Sequence, residues 1–198
     1  YKNKGDIYKT LASNIYKKPV SKITKEERQC GKVAVLGLAY GLGAKKLSSY
    51  AKVNYGVNMS QEEGVLAFKA YHNTFKGYSE WCTKQRAIAE RLGWARTVTG
   101  KVRRLTHDEV YTRSVNHMIQ GSATELLMLS MCKAVKQGLK LLSVVHDECI
   151  FICEDEEIDH TKQTIEKAMK EAMLELFPQA FIEDLAEAGS GKNWFEAK

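Results

Sequence analysis

Residues 141–152 read LLSVVHDECIFI, which sets His146 and two adjacent carboxylates, Asp147 and Glu148, inside an aliphatic run that has the look of a buried strand. Charge is costly in such a setting unless something pairs with it. In an extended strand His146 and Glu148 point to one face and Asp147 to the other. The alternative is a hairpin tip between two apolar arms, since turns favour Asp and tolerate exposed carboxylates. Carboxylates held at a bend by stiff arms suit a hard divalent cation, because Mg²⁺ takes oxygen ligands in near-octahedral geometry. Two such ions about 4 Å apart can drive in-line phosphoryl transfer. One Asp–Glu pair rarely suffices for two ions. A second aspartate from another strand is required, and Asp6, Asp108 and Glu109 all lie outside strand-like apolar runs.

A second group with chemical potential is RQCGKVAVLGLAYG, residues 28–41, where Arg28, Lys32, Leu36 and Tyr40 follow one another at i+4 steps. On a helix they share one face. Two cations one turn apart, then an apolar residue and an aromatic, can cradle a triphosphate at the basic end and a sugar and base at the other. A solvated basic edge above an ordinary apolar face explains the same spacing. Gly37 and Gly41 weigh against that plainer account, since each costs about 1 kcal/mol relative to alanine inside a helix. Close approach of a ligand or another chain is the expected reason for them.

The elements that position these groups are legible from periodicity and caps. Ile7, Leu11, Ala12 and Ile15 recur at helical spacing, and that helix must stop before Pro19. Thr24 with Glu27 forms a capping box that opens a helix over 24–47, and Ser60 with Glu63 forms another. The segment after Ser60 reads as two helices with a kink near Gly77. Val102 and Leu105 alternate with Arg103 and Arg104 after Gly100, as in a hairpin. Residues 108–137 return to helix, a strand-turn-strand follows over 141–153, and Ile158–Phe177 is amphipathic. The tail AEAGSGKNW reads as a short strand and turn. Helices first, then strands among long helices, make an α+β fold with an antiparallel sheet rather than a doubly wound one.

With 198 residues the chain can bury a core, and its net charge of +6 fits an anionic partner but equally fits mere solubility. The five cysteines show no metal-finger spacing, and an odd count argues for reduced thiols. No apolar run approaches the roughly 20 residues of a membrane helix. The expected setting is intracellular. The first residue, Tyr1, suggests a chain cut from something longer.

Together these motifs resemble family A DNA polymerases, the class of bacterial DNA polymerase I and its phage relatives. The fingers helix of that family reads Arg-x-x-x-Lys-x-x-x-(Phe/Tyr)-Gly-x-x-Tyr-Gly, matched by Arg28, Lys32, Gly37, Tyr40 and Gly41, with Leu36 as the one departure. Its palm carries His-Asp-Glu between apolar strands, and a preceding helix carries Asn-x-x-x-Gln-Gly, matched by Asn116, Gln120 and Gly121. The ending Gly-Ser-Gly-x-Asn-Trp is matched by Gly189 to Trp194. Tyr8 stands where a histidine is more usual, and Thr112 where some members carry arginine, beside Arg113.

The resemblance implies a helical fingers subdomain over 1–95 and the C-terminal part of an antiparallel palm over 96–198. It implies nucleotide binding by Arg28, Lys32, Leu36, Tyr40 and Gly41. Catalysis would fall to Asp147, Glu148 and Lys32, the last also a candidate to protonate pyrophosphate. Asp147 would be the metal ligand, for Mg²⁺, two ions in the complete enzyme. DNA contacts would come from Arg103, Arg104, Asn116, Gln120 and His146, and the partners would be primer-template DNA and dNTPs. The family's first palm aspartate has no counterpart here, so an upstream palm and thumb segment, of the same or a partner polypeptide, is expected to complete the site. A non-catalytic DNA- or nucleotide-binding module, or one subunit of a split polymerase, is the alternative.

Overall fold

The computed structural model describes residues 5–197, and the chain folds as two compact units. The first runs to Ala95 and takes in Arg103–Asn116; the second comprises Arg96–Val102 and everything from His117. With helices throughout and two small two-stranded sheets, the architecture is α+β.

In the first unit Asp6 caps α1 (Ile7–Tyr16) by accepting from the Tyr8 and Lys9 amides at 2.9 and 3.0 Å. Such a cap satisfies N–H groups that lack partners within the helix. Lys17 then turns the chain left-handed ahead of Pro19. Thr24 and Glu27 form the reciprocal box that opens α2 (Lys25–Ala39), and Ser60 with Glu63 does the same for α4 (Gln61–Thr74). Between them lies α3 (Ala44–Tyr55), and α5 (Lys76–Leu92) follows. Leu11, Val33, Ala34, Leu38, Leu47, Ala51, Ala67 and Tyr71 of α1 to α4 make one buried cluster.

Two boundaries differ from the sequence expectation. The basic helix does not continue to Leu47: it ends at Ala39, because Gly41 turns left-handed (φ +85°) and the amides of Gly41 and Leu42 close back on the Leu38 and Gly37 carbonyls. That is a helix stop of the kind glycine ordinarily supplies. The kink expected near Gly77 is a break at Phe75, whose ψ of 48° is not helical.

The glycines of this helix also have a local explanation. A Cβ on Gly37 would sit 3.1 Å from Leu42 and Tyr50 side-chain atoms, and one on Gly41 would sit 3.3 Å from Arg86 and Tyr111. The close approach is therefore made by the chain itself and needs no ligand.

The short strands β1 (Trp94–Arg96) and β2 (Val102–Arg104) pair, and the unit boundary falls within this ribbon. After it come α6 (Val110–Asn116), a single π turn (His117–Gly121) and α7 (Ser122–Lys136). In the second unit β3 (Lys140–Val145) pairs antiparallel with β4 (Glu148–Ile152), and α8 (Ile158–Leu176) packs on α7. Buried positions on those two helices are small, among them Ser130, Ala134, Ala168 and Ala172, which permits close approach. A Lys133–Glu175 ion pair at 2.8 Å links them.

The apolar run around the acidic pair is not buried as a strand. Leu142 is 65% exposed and Ile152 55%. Among the described residues β3 and β4 pair only with each other, and Leu141, Leu142, Val144 and Ile152 stay exposed. The tail holds turns and no strand among the described residues.

Candidate functional site

The question left open by the sequence at 146–148 is settled in favour of a turn. Val145 pairs with Glu148, so His146 and Asp147 are the two-residue tip of the β3–β4 hairpin. Hairpin tips of this length need positive φ, a place usually taken by glycine or asparagine. Here His146 takes it, at φ +56°. A left-handed conformation costs a non-glycine residue about 1–2 kcal/mol. His146→Gly is therefore expected to raise stability by up to about 1 kcal/mol, after glycine's own entropy is subtracted. A higher melting temperature together with weakened primer-template binding would show that the side chain is kept for function; a lower melting temperature would remove the strain argument.

Asp147 and His146 open onto a cavity of about 550 Å³, whose wall also contains Gln120 from the π turn, Thr124 and Ser130 of α7, and Met169 of α8. Three of the sequence-derived site residues thus meet around one concavity within the second unit. A π turn widens a helix by one residue and is frequent at functional sites. This one is locked in place. Thr97 donates to Glu125 at 2.7 Å, the Val98 amide donates to Ser122 at 2.9 Å, and His117 Nε2 lies 3.1 Å from the Lys101 carbonyl. Gly121 lies so near Thr97 that an added Cβ would come to 2.6 Å from its methyl group.

Glu148 does not line that cavity. Its Oε2 accepts from the Trp194 indole N–H at 3.0 Å, a partner the sequence reading did not anticipate. Asn116 closes α6, and its side-chain oxygen is buried without a hydrogen-bond partner among the described residues. Such an orphan is expensive unless a ligand or water completes it. Arg103 and Arg104 are exposed on β2. Arg113 is engaged by Glu109 at 2.5 Å, one turn back.

In the first unit Arg28, Lys32 and Leu36 share the half-buried flank of α2, with Tyr40 as its C-terminal cap, 42% exposed. Arg28 is held rather than loose. Its Nε donates to Asp6 Oδ2 at 2.6 Å and its guanidinium lies 5.2 Å over the Tyr8 ring. Asp6 therefore both caps α1 and orients Arg28. Burial pushes the Asp6 carboxyl up, but the Arg28 hydrogen bond, the Lys9 amide, the Arg28 charge and the Tyr8 amide together hold it below its ordinary value.

A carboxyl so depressed contributes stability that is complete above the ordinary value of 3.8 and is lost as pH falls through the lower folded value. Acid titration of the melting temperature should accordingly be steeper in the parent than in Asp6→Asn, which keeps a capping oxygen but not the charge. Asp6→Ala should cost about 1 kcal/mol more, from the lost cap. Identical acid limbs in parent and Asp6→Asn would show that the pair contributes nothing.

The model of DNA polymerase family A matches residues 1–196. The chain belongs to that family. The DNA polymerase I of Aquifex aeolicus is 35% identical over 87% of this chain and 31% of its own length. The DNA polymerase of Bacillus phage SP01 is 23% identical over 86% of this chain and 20% of its own. The POL domain of Pol1 from M. smegmatis, solved in complex with DNA primer-template and dNTP, matches with a TM-score of 0.71 at 26% identity, covering 83% of this chain and 31% of that one. The chain thus spans about a third or less of the length of these relatives.

Use of divalent metals is general in family A. The donor chemistry of the hairpin tip fits such an ion, since Mg²⁺ is usually held by one or two carboxylates while keeping several waters and substrate phosphates as its other ligands. Asp147 supplies that carboxylate on the cavity wall. No group of three or more acidic, histidine or cysteine side chains able to hold a metal occurs among the described residues. None of the described helices is long and apolar enough to cross a membrane.

Proposed function

We propose that this chain contributes to a DNA-directed DNA polymerase that adds dNTPs to a primer 3′ end, acting in the cytoplasm on primer-template DNA. The supporting observation is the carboxylate of Asp147 at a strained hairpin tip, sharing one cavity wall with His146 and Gln120 in a family A chain. In this reading residues 1–95 form the fingers and 96–198 the C-terminal palm, while the first compact unit also takes in Arg103–Asn116 of that palm segment.

In this reading Arg28, fixed by Asp6 and Tyr8, presents its guanidinium to the phosphates of the incoming nucleotide, and Lys32 one turn on does the same and gives a proton to the departing pyrophosphate. Leu36 and Tyr40 border the sugar and base, and Gly41 shapes the turn that ends the helix. Asn116 and Gln120 bond to minor-groove acceptors that all base pairs share, so no sequence is read. His146 contacts the primer strand, while Arg103 and Arg104 hold backbone phosphates. Asp147 would hold Mg²⁺, and Glu148 would be an assisting carboxylate near the primer end. When bound, a pair of such ions lowers the cost of the charge that develops on the attacking and leaving oxygens.

A second reading, a DNA- or nucleotide-binding module or one part of a split enzyme, is favoured by the lack of a third acidic ligand beside Asp147 and Glu148 among the described residues. Primer extension by the chain alone, and with an upstream palm and thumb segment supplied separately, decides between them. Extension only with the added segment supports a shared active site. DNA binding without extension in either mixture would establish the non-catalytic module and overturn the polymerase reading.

A further inference from the structure

The carboxy-terminal turn takes no part in the function proposed above, yet its construction is specific. A Cβ on Gly189 would overlap the Ala197 carbonyl, and one on Gly191 would come to 2.6 Å from Glu196 Cβ. Only glycine leaves room for residues 196–197 to fold back on 189–191. Asn193 closes the loop, accepting from the Glu196 amide at 3.1 Å and donating to its carboxylate at 2.7 Å. The Glu196 carboxylate also accepts from the Lys192 amide at 3.1 Å. Just ahead of the turn the Ala188 amide donates to Glu166 of α8 at 3.2 Å, which ties the segment to the body of the second unit. Between these fixed points stands Trp194, whose indole N–H reaches Glu148 across 46 positions of sequence.

We propose that Trp194 is a positioning residue: the glycine-dependent turn at 189–197 delivers its indole N–H to the Glu148 carboxylate and holds that side chain in one orientation beside Asp147. An indole nitrogen can only donate and an ionised carboxylate only accept, so the pair has a single sense. Hydrogen bonds to an ionised acceptor are about twice as strong as neutral ones, so this contact favours one rotamer of the glutamate. Supporting contacts of this kind are what keep a reactive group within the narrow range of productive geometry. What Glu148 does once held depends on the polymerase reading; whether it is held does not.

The test is nuclear magnetic resonance on the full chain, labelled with ¹⁵N and ¹³C. The Trp194 indole signal is the one lost in Trp194→Phe. Glu148→Ala should move it to the position of a solvent-exposed indole, and Gly191→Ala should do the same with Glu148 still present, because the turn can no longer close. Conversely, the χ1 couplings of Glu148 should report one rotamer in the parent and an average of several in Trp194→Phe, a change that a merely structural tail would not produce. An indole signal indifferent to Glu148→Ala would remove the contact. A Glu148 that keeps one rotamer in Trp194→Phe would remove the positioning. Both readouts persist in a chain that makes no DNA, so failure here is distinguishable from failure of the polymerase reading.

Discussion

Asp147→Ala is expected to lower nucleotide incorporation by about a thousandfold or more while leaving primer-template affinity nearly unchanged. A metal's stabilisation of transition-state charge is worth several kcal/mol, and each 1.36 kcal/mol is a factor of about ten in rate. Asp147 is the acidic side chain that lines the cavity beside Gln120 and His146, whereas Glu148 is turned to Trp194. Removing Asp147 therefore takes the carboxylate off the wall of the concavity; removing Glu148 should cost less. Affinity for DNA has another origin, since phosphate contacts dominate it and are sensitive to salt. Arg103 and Arg104, proposed above as phosphate contacts, are untouched by this substitution. The side chain is exposed at a turn, so folding should change by no more than about 0.5 kcal/mol. Single-turnover incorporation in the polypeptide that extends primers, with binding followed separately by fluorescence anisotropy, reads both effects. Incorporation retained within tenfold would mean that Asp147 holds no essential metal.

What the sequence disclosed and what it hid follow from distance along the chain. The capping boxes of Thr24 with Glu27 and Ser60 with Glu63 are four-residue patterns, and both form as their spacing requires. The first helix's apolar face is likewise legible from period alone, and Leu11 and Ala12 on it are fully buried. The end of the basic helix is equally local. Inside a helix Gly41 implies close approach of a ligand or another chain, but a left-handed glycine after Tyr40 is a stop signal. The apolar letters around His146 were read as burial, yet hydrophobicity states what a residue prefers and not what the rest of the fold places over it. The pairings that shape the site lie beyond any local pattern. Asp6 meets Arg28 and Trp194 meets Glu148 only because helices and turns bring distant segments together. One clue was available: Gly189 and Gly191 flanking a serine, just before Asn193 and Trp194, mark a chain that must double back, and such a turn fixes the aromatic that follows it.

The largest structural effect is expected at a residue with no side chain. Gly31 lies on the buried face of α2, between the cations Arg28 and Lys32, and an added Cβ would overlap the carbonyl oxygen of Tyr8 and come to 3.2 Å from Ala12 Cβ. A side chain in the way can rotate, but a helix carbonyl cannot, so α1 and α2 must move apart. Their contact carries Leu11 and Val33, both fully buried, and separation would open gaps along it. Overpacking of this kind costs typically 1–3 kcal/mol and sometimes more, so Gly31→Ala should lie at the upper end, about 3 kcal/mol. For a chain of this size that lowers the melting temperature by roughly 6–12 °C. The displacement should also loosen Arg28, because Tyr8 supplies the ring beneath its guanidinium and Asp6 begins the same helix. The internal control is Gly77→Ala, the same chemical change on α5, where an added Cβ meets nothing within 4 Å. Alanine's higher helix propensity should make that variant neutral or up to about 1 kcal/mol more stable. One substitution type thus has opposite signs at two helical sites. Equal melting temperatures for the two variants would show that α1 and α2 are not in the close contact that orients Arg28.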